Sequence, residues 1–290
     1  MTDSQDFRWP FLYRAVFAAV ALLVGAFYLW SVQAANPPFE WHYDKSGYYD
    51  LLARGFAAGH LYLPLDPPPQ MLALRDPLNL QKSGEWALQD AALYRNHYYL
   101  YHGVTPALLA FLPWRLLFHH DLPESFAAFI FCLVGFLFSG ATLLTMLSWA
   151  RYRPPLWLWG LALLALGVSQ PAPFLLQRVF VYEIAIASGY AFLSAGLWFL
   201  ARGLSSAKRS PLMMAVSGLC FGLSVGCRPH LAIFGLCAAL AVLWCGTGDF
   251  GFREMLRSRG LLGYCVAFGA CLLAVLWYNY ARFEDRKSHV

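Results

Sequence analysis

The sequence predicts an all-α fold: a polytopic membrane bundle of about seven spans, with an extracytoplasmic loop that contains juxtamembrane helices. Three observations predict it. The 290 residues are 59% hydrophobic and only 13% charged, with a mean hydropathy of +0.50, whereas a soluble domain carries about 25% charged residues. Apolar runs recur at lengths close to the roughly 17–25 residues that cross a bilayer core. The basic residues fall in small groups between those runs, which is how topology signals are distributed. Together these exclude a water-soluble enzyme, a disordered chain and a nucleic-acid binder, despite a net charge of +5. All seven cysteines lie inside apolar runs. Their spacing fits neither a disulfide framework nor a metal site, so they read as small hydrophobes.

In chain order, the predicted spans are 11–34, 124–150, 155–170, 173–201, 210–227, 229–246 and 260–281. The first is too long for the roughly 7–15-residue apolar core of a signal peptide, and Asp3 and Asp6 precede it, so it reads as an uncleaved helix. The third is short and ends at Gln170-Pro171. Segment 104–118 is apolar but short, with Pro106, Pro113 and Arg115. Charge bias decides its status. If it does not span, ten of the 21 basic residues share one side, in the N-terminus and the short loops at 151–153, 202–209 and 247–259. If it spans, the later basic loops move outside, against the positive-inside rule. It is therefore read as juxtamembrane. The chain then divides into a cytoplasmic leader and first helix (1–34), an extracytoplasmic loop (35–120) and a bundle of six further spans (121–290).

Loop 35–103 holds seven of the 16 acidic residues, and long loops of this kind are usually functional. Residues 46–58 have helical spacing. Tyr48, Leu51, Leu52 and Phe56 share a face, with Asp50 and Arg54 as an i,i+4 pair opposite. Such a helix lies flat on a membrane surface. Prolines then impose an extended path, and a segment at 86–96 leads into Tyr98-Tyr99-Leu100-Tyr101. Further on, Gly218, Gly222 and Gly226 have the four-residue spacing of close helix contacts.

The order of pieces carries a resemblance. Asp44 in Tyr43-Asp44-Lys45-Ser46-Gly47-Tyr48-Tyr49-Asp50, then Leu52-Ala53-Arg54-Gly55 and Gly59-His60-Leu61-Tyr62, resembles the opening of bacterial GT-C glycosyltransferases, the group that includes protein mannosyltransferase and aminoarabinose transferase relatives. Tyr98 to Leu109 stands where those proteins begin a proline-led juxtamembrane helix, and Tyr278-Asn279-Tyr280-Ala281-Arg282-Phe283 looks like a step after a later helix. The resemblance implies a bacterial inner-membrane enzyme with a cytoplasmic N-terminus. It implies a polyprenyl-phosphate-linked sugar donor and a glycan, lipid or protein acceptor. It implies no organic cofactor and leaves a divalent metal open. Asp44 stands at the family's general-base position, and a partly desolvated carboxylate suits that task.

Arg178 and Arg228 are the candidates for the donor phosphate, because a guanidinium fits phosphate oxygens. Arg178 and Tyr182 are read on one helix face, four residues apart, with Glu183 beside them. Lys45, Tyr48, Asp50, His102, Tyr182 and Glu183 are the candidate lining residues. His102 and His119-His120 lack a third ligand at metal spacing. Family members are generally longer, and this chain lacks the expected glycine after Arg282-Phe283. A truncated non-catalytic remnant, or a split enzyme completed by a second chain, is thus one alternative. A transporter or lipid-handling protein is another, although no repeat relates the two halves.

Overall fold

A computed structural model of the chain describes residues 9–35, 39, 47–73, 88, 90–205, 210–250 and 258–283, with the backbone alone for 245–250 and 283. The regular structure among the described residues is helical apart from one small hairpin. Among the described residues, four helices are long and apolar enough to cross a membrane: α1 (Phe11–Ala35), α5 (Glu124–Trp149), α8 (Val181–Ser205) and α11 (Arg259–Phe283). The predicted spans 155–170, 210–227 and 229–246 correspond to shorter apolar helices: α6 (Leu156–Val168), α9 (Pro211–Val225) and α10 (Ala232–Phe250), which follows a 3-10 turn at Pro229–Leu231. At 1.5 Å per residue, the 13 residues of α6 rise about 20 Å, short of the roughly 30 Å apolar thickness.

Polar side chains bind these apolar helices at chosen points. The Tyr13 hydroxyl donates to the Pro154 carbonyl at 2.6 Å, and the Trp159 indole donates back to the Tyr13 carbonyl at 3.1 Å. Further along, the Tyr28 hydroxyl donates to the Gly167 carbonyl and accepts from Gln170. Helix α6 is thus tied to α1 near both ends. Glycine sets the closer approaches. Gly135 receives the Tyr190 ring between α5 and α8, and Gly218 lies against the Tyr264 backbone between α9 and α11. The glycine spacing read from the sequence serves two different neighbours, because Gly222 meets Cys271 of α11 whereas Gly226 meets Thr105.

The predicted span 173–201 is not one helix. It breaks into α7 (Ala172–Gln177) and α8, with Arg178 extended at φ −143°, ψ 85° between them. The two helix ends are closed separately: the Glu183 carboxylate accepts the Phe180 amide in the first turn of α8.

Against one end of the bundle lies a layer built from α2 (Tyr48–Ala57), the single turn α3 (Pro69–Leu72), the hairpin β1 (Ala91–Tyr94) and β2 (His97–Leu100), and α4 (Ala107–Phe118). The aromatic run expected after segment 86–96 is strand β2, paired antiparallel with β1, and Leu63 bridges to Tyr98 at its side. Alternation explains it: Tyr98 and Leu100 enter the core while Ala92 and Tyr94 remain half-exposed. Segment 104–118 forms α4, whose first turn is a π-helix over Ala107–Phe111 before Pro113. It is among the shorter apolar helices, as its prolines and Arg115 predict. Layer and bundle share one core, in which Tyr49, Leu52, Leu63, Leu100 and Phe111 are fully enclosed with Tyr28 and Phe136.

Candidate functional site

Two charged clusters lie where the layer meets the helix ends. In the first, the layer and α5 exchange carboxylates. Helix α2 has only Gly47 at its N-cap, with no side-chain cap of its own. Its Tyr49 amide donates instead to the Glu124 carboxylate in the first turn of α5. In return Asp50, in the first turn of α2, accepts the Leu122 amide just ahead of α5 at 3.1 Å. Each helix start thus supplies the acid that satisfies an orphan amide near the other start, where the helix dipole also favours a negative group. The Glu124 carboxylate lies so close to Gly47 that any Cβ there would strike it. A side chain at this N-cap would have to displace the Glu124 carboxylate that accepts the Tyr49 amide.

Asp50 is only 4% exposed. Burial, then the neighbouring Glu124 and Asp121 charges, push its pKa up to about 9, with the Leu122 amide and Arg54 opposing. No Asp50–Arg54 ion pair forms among the described residues, which corrects the expected i,i+4 pair. Arg54 closes on Asp121 with two contacts, at 2.5 and 3.3 Å, and Arg115 reaches the same carboxylate at 2.6 Å. Helical spacing places Asp50 and Arg54 on one side of α2, but the docking of α5 brings a better-placed acid between two arginines. These two arginines also edge an open groove of about 540 Å³ between α2 and α4.

The second cluster forms along a seam of backbone. The Thr105 amide donates to the Gly226 carbonyl at 3.0 Å, and Gly103 sits against the carbonyls of Gly226 and Cys227 with no room for a Cβ. This contact sets His102 beside Arg228. The Arg228 guanidinium stacks on the Tyr182 ring at 3.8 Å, and its Nη2 donates to the Tyr182 carbonyl at 3.3 Å. The His102 ring meets the edge of the same Tyr182 at 5.4 Å, and its Nε2 stands 3.6 Å from Asp90. That separation is just past hydrogen-bond length, so the buried His102 Nε2 has no hydrogen-bond partner, and neither has the buried Arg228 Nε. Burial holds the His102 pKa below its ordinary value; Asp90 opposes that shift and Arg228 adds to it. Asp90 itself occupies the left-handed region at φ 59°, a conformation that costs a non-glycine residue energy.

Tyr49 lies between the clusters. Its buried hydroxyl has no hydrogen-bond partner, and it feels the charges of both Glu124 and Arg228. Beside the seam, an apolar cavity of about 430 Å³ opens between the layer and helices α9 and α11, lined in part by Phe56, His60, Thr105, Gly222 and Tyr278. Arg282, at the end of α11, donates to the Leu100 carbonyl at 2.7 Å and so ties that helix to β2.

The structure therefore brings together four of the predicted residues, His102, Tyr182, Glu183 and Arg228. Asp50 and Tyr48 belong to the neighbouring acid cluster. Asp44 and Lys45 lie outside the described residues. Arg178 does not share a helix face with Tyr182: it sits in the break before α8, exposed, with its guanidinium over the Phe180 ring at 5.2 Å. Sequence reasoning passed over Asp90, Asp121, Glu124 and Tyr49. The signal for Asp121 and Glu124 was an acidic pair directly ahead of a long apolar run, where a charge must find a partner. Among the described residues, no three of His, Cys, Asp or Glu are grouped to hold a metal ion. No protein-family model matches the chain, and neither does any curated protein or solved structure.

Proposed function

We propose that this chain is a membrane glycosyltransferase that moves a sugar from a polyprenyl-phosphate donor to an extracytoplasmic acceptor. Asp44 is its general base, and Arg228 holds the donor phosphate. The observation that supports this reading is the placement of Arg228: a stacked guanidinium whose buried Nε has no partner among the described residues, one seam away from an apolar cavity. A phosphate joined to an isoprenoid needs those two environments side by side, a planar donor fork for the oxygens and an apolar slot for the chain. Arg178, exposed on the helix break nearby in the chain, is the second phosphate candidate. The seven-span topology, with 35–120 outside and the N-terminus in the cytoplasm of a bacterial inner membrane, belongs to the same proposal and rests on the basic-loop bias.

The test is sugar transfer from a polyprenyl-phosphate-linked donor by membranes containing the chain, compared with its Asp44→Asn variant. Loss of a general base lowers the rate by about 10²–10⁴-fold. An Asp44→Asn protein that folds and transfers at full rate removes Asp44 from the mechanism. A wild-type chain that transfers no sugar, yet moves a labelled solute across proteoliposomes without donor, replaces the enzyme reading with a transporter.

A further inference from the structure

The cluster around Arg228 has an unusual charge balance. Three charges act on His102: the Arg228 guanidinium, Asp90 from the turn ahead of β1, and Glu183 from the first turn of α8. With His102 neutral, an anion arriving at Arg228 meets one positive charge and two negative ones. With His102 protonated, the count is even. Tyr182 couples the two cationic side chains sterically, since the Arg228 guanidinium covers its face and His102 abuts its edge. Asp90 stands 3.6 Å from Nε2, close enough to favour the imidazolium once a second anion offsets the repulsion from Arg228.

We propose that the binding of a lipid phosphate at Arg228 is coupled to proton uptake by His102, so that the occupied site carries an imidazolium beside the phosphate. This inference rests on the assignment of Arg228 to the phosphate and deepens it. Linkage requires reciprocity: an anion that raises the proton affinity of His102 must itself bind more tightly when His102 is protonated. In the transfer step the acceptor oxygen forms a bond to the sugar carbon and its proton passes to Asp44, while the bond between the sugar carbon and the phosphate oxygen breaks and that oxygen keeps the bonding pair. An imidazolium alongside stabilises the negative charge that develops there. Burial, and then Arg228, disfavour the charged form of His102, and Asp90 opposes them.

The probe is a farnesyl methyl phosphodiester, whose single charge does not change across the pH range used. Its affinity for the full chain in detergent, and the protons taken up on binding, are measured by titration calorimetry in buffers of different ionisation enthalpy between pH 8 and pH 5.5. The wild type is expected to bind about tenfold more tightly at the low end, one pKa unit of coupling, with net proton uptake near the midpoint. The His102→Gln variant binds with an affinity that does not change with pH, and it takes up no proton. Asp90 is half-exposed on a turn, so Asp90→Asn keeps the proposal testable if His102→Gln does not fold. It is expected to bind more tightly at pH 8 and to shift the pH midpoint downward. A pH-independent wild-type affinity without proton uptake overturns the coupling while leaving Arg228 as the phosphate ligand. A pH slope that persists in His102→Gln overturns it as well. No binding at any pH overturns the assignment of Arg228 itself, and the coupling with it.

Discussion

Arg54 and Arg115 on one side of the layer, and Arg228 on the other, show what a membrane-edge protein does with the same side chain in two settings. The first two converge on Asp121, which is 6% exposed, and their charges are spent inside the fold. Arg228 has an aromatic face, one carbonyl and a buried Nε with no partner among the described residues. Both settings hold the chain in place. The second also retains a buried donor without a partner among the described residues. A guanidinium that closes on a carboxylate fixes an architecture, whereas one propped on an aromatic ring stays available to an incoming anion.

Breaking the closed setting should have the largest effect. Asp121→Ala leaves two arginines facing a buried vacancy, and removal of one partner from a buried pair costs about 3–5 kcal/mol. The solvent that reaches both arginines places the expected loss near the lower figure, read as a drop in melting temperature in detergent. Arg228→Ala is expected to do the reverse. Melting should change by less than about 1 kcal/mol, while transfer from a lipid-linked donor falls by about 10²-fold, the equivalent of roughly 2.7 kcal/mol. An Arg228→Ala protein that melts as early as Asp121→Ala would erase the distinction between the two settings.

The pH response sharpens it next. Because the folded pKa of Asp50 is raised to about 9, the native state holds a proton that the unfolded chain releases near pH 4. Stability from this group is therefore fully present below about pH 4 and is lost as pH rises towards 9. Asp50→Asn keeps an oxygen for the Leu122 amide and cannot ionise. It is expected to flatten the fall and to exceed the wild type at pH 8 by at least about 1.4 kcal/mol, the worth of one pKa unit. A wild-type melting curve that is level from pH 5 to pH 9 contradicts this. The smallest change comes at Tyr182, which is half-exposed. Tyr182→Leu removes the ring beneath Arg228, worth about 0.5–1 kcal/mol at an exposed position, and should weaken phosphodiester binding two- to fivefold with melting unchanged.

Much of this architecture was legible in the sequence, for reasons that differ by element. Helices α1, α5, α8 and α11 announce themselves by apolar length, since a membrane-length run has few other fates. Segment 104–118 was legible through Pro106, Pro113 and Arg115, and α2 through its apolar face. The break at Arg178 was not legible. Hydropathy averages over it, and the residues that close the two helix ends, Glu183 foremost, act through a hydrogen bond that a window sum ignores. Nor was the identity of the partners. Asp50 and Arg54 satisfy every local rule for a pair, and only the arrival of Asp121 from the start of another helix redirects the arginine. Asp90 escaped notice because its role depends on the hairpin turning His102 back towards it. Local spacing encodes faces; which face meets which is a tertiary matter.

The seam between Gly103 and Gly226 has a temporal consequence. Helices α4 to α9 separate its two sides along the chain, so as the ribosome delivers the protein, the hairpin layer emerges long before its seat exists. Until α9 is made, His102 and Arg228 belong to unconnected pieces of chain, and the layer can rest on the acid cluster ahead of α5 and on the core it shares with α1 and α5. Closure of such a distant contact is slow and comes after local helices have formed. The cluster around Arg228 is in this way among the last features to be completed, and its assembly reports that the bundle behind it has been correctly threaded.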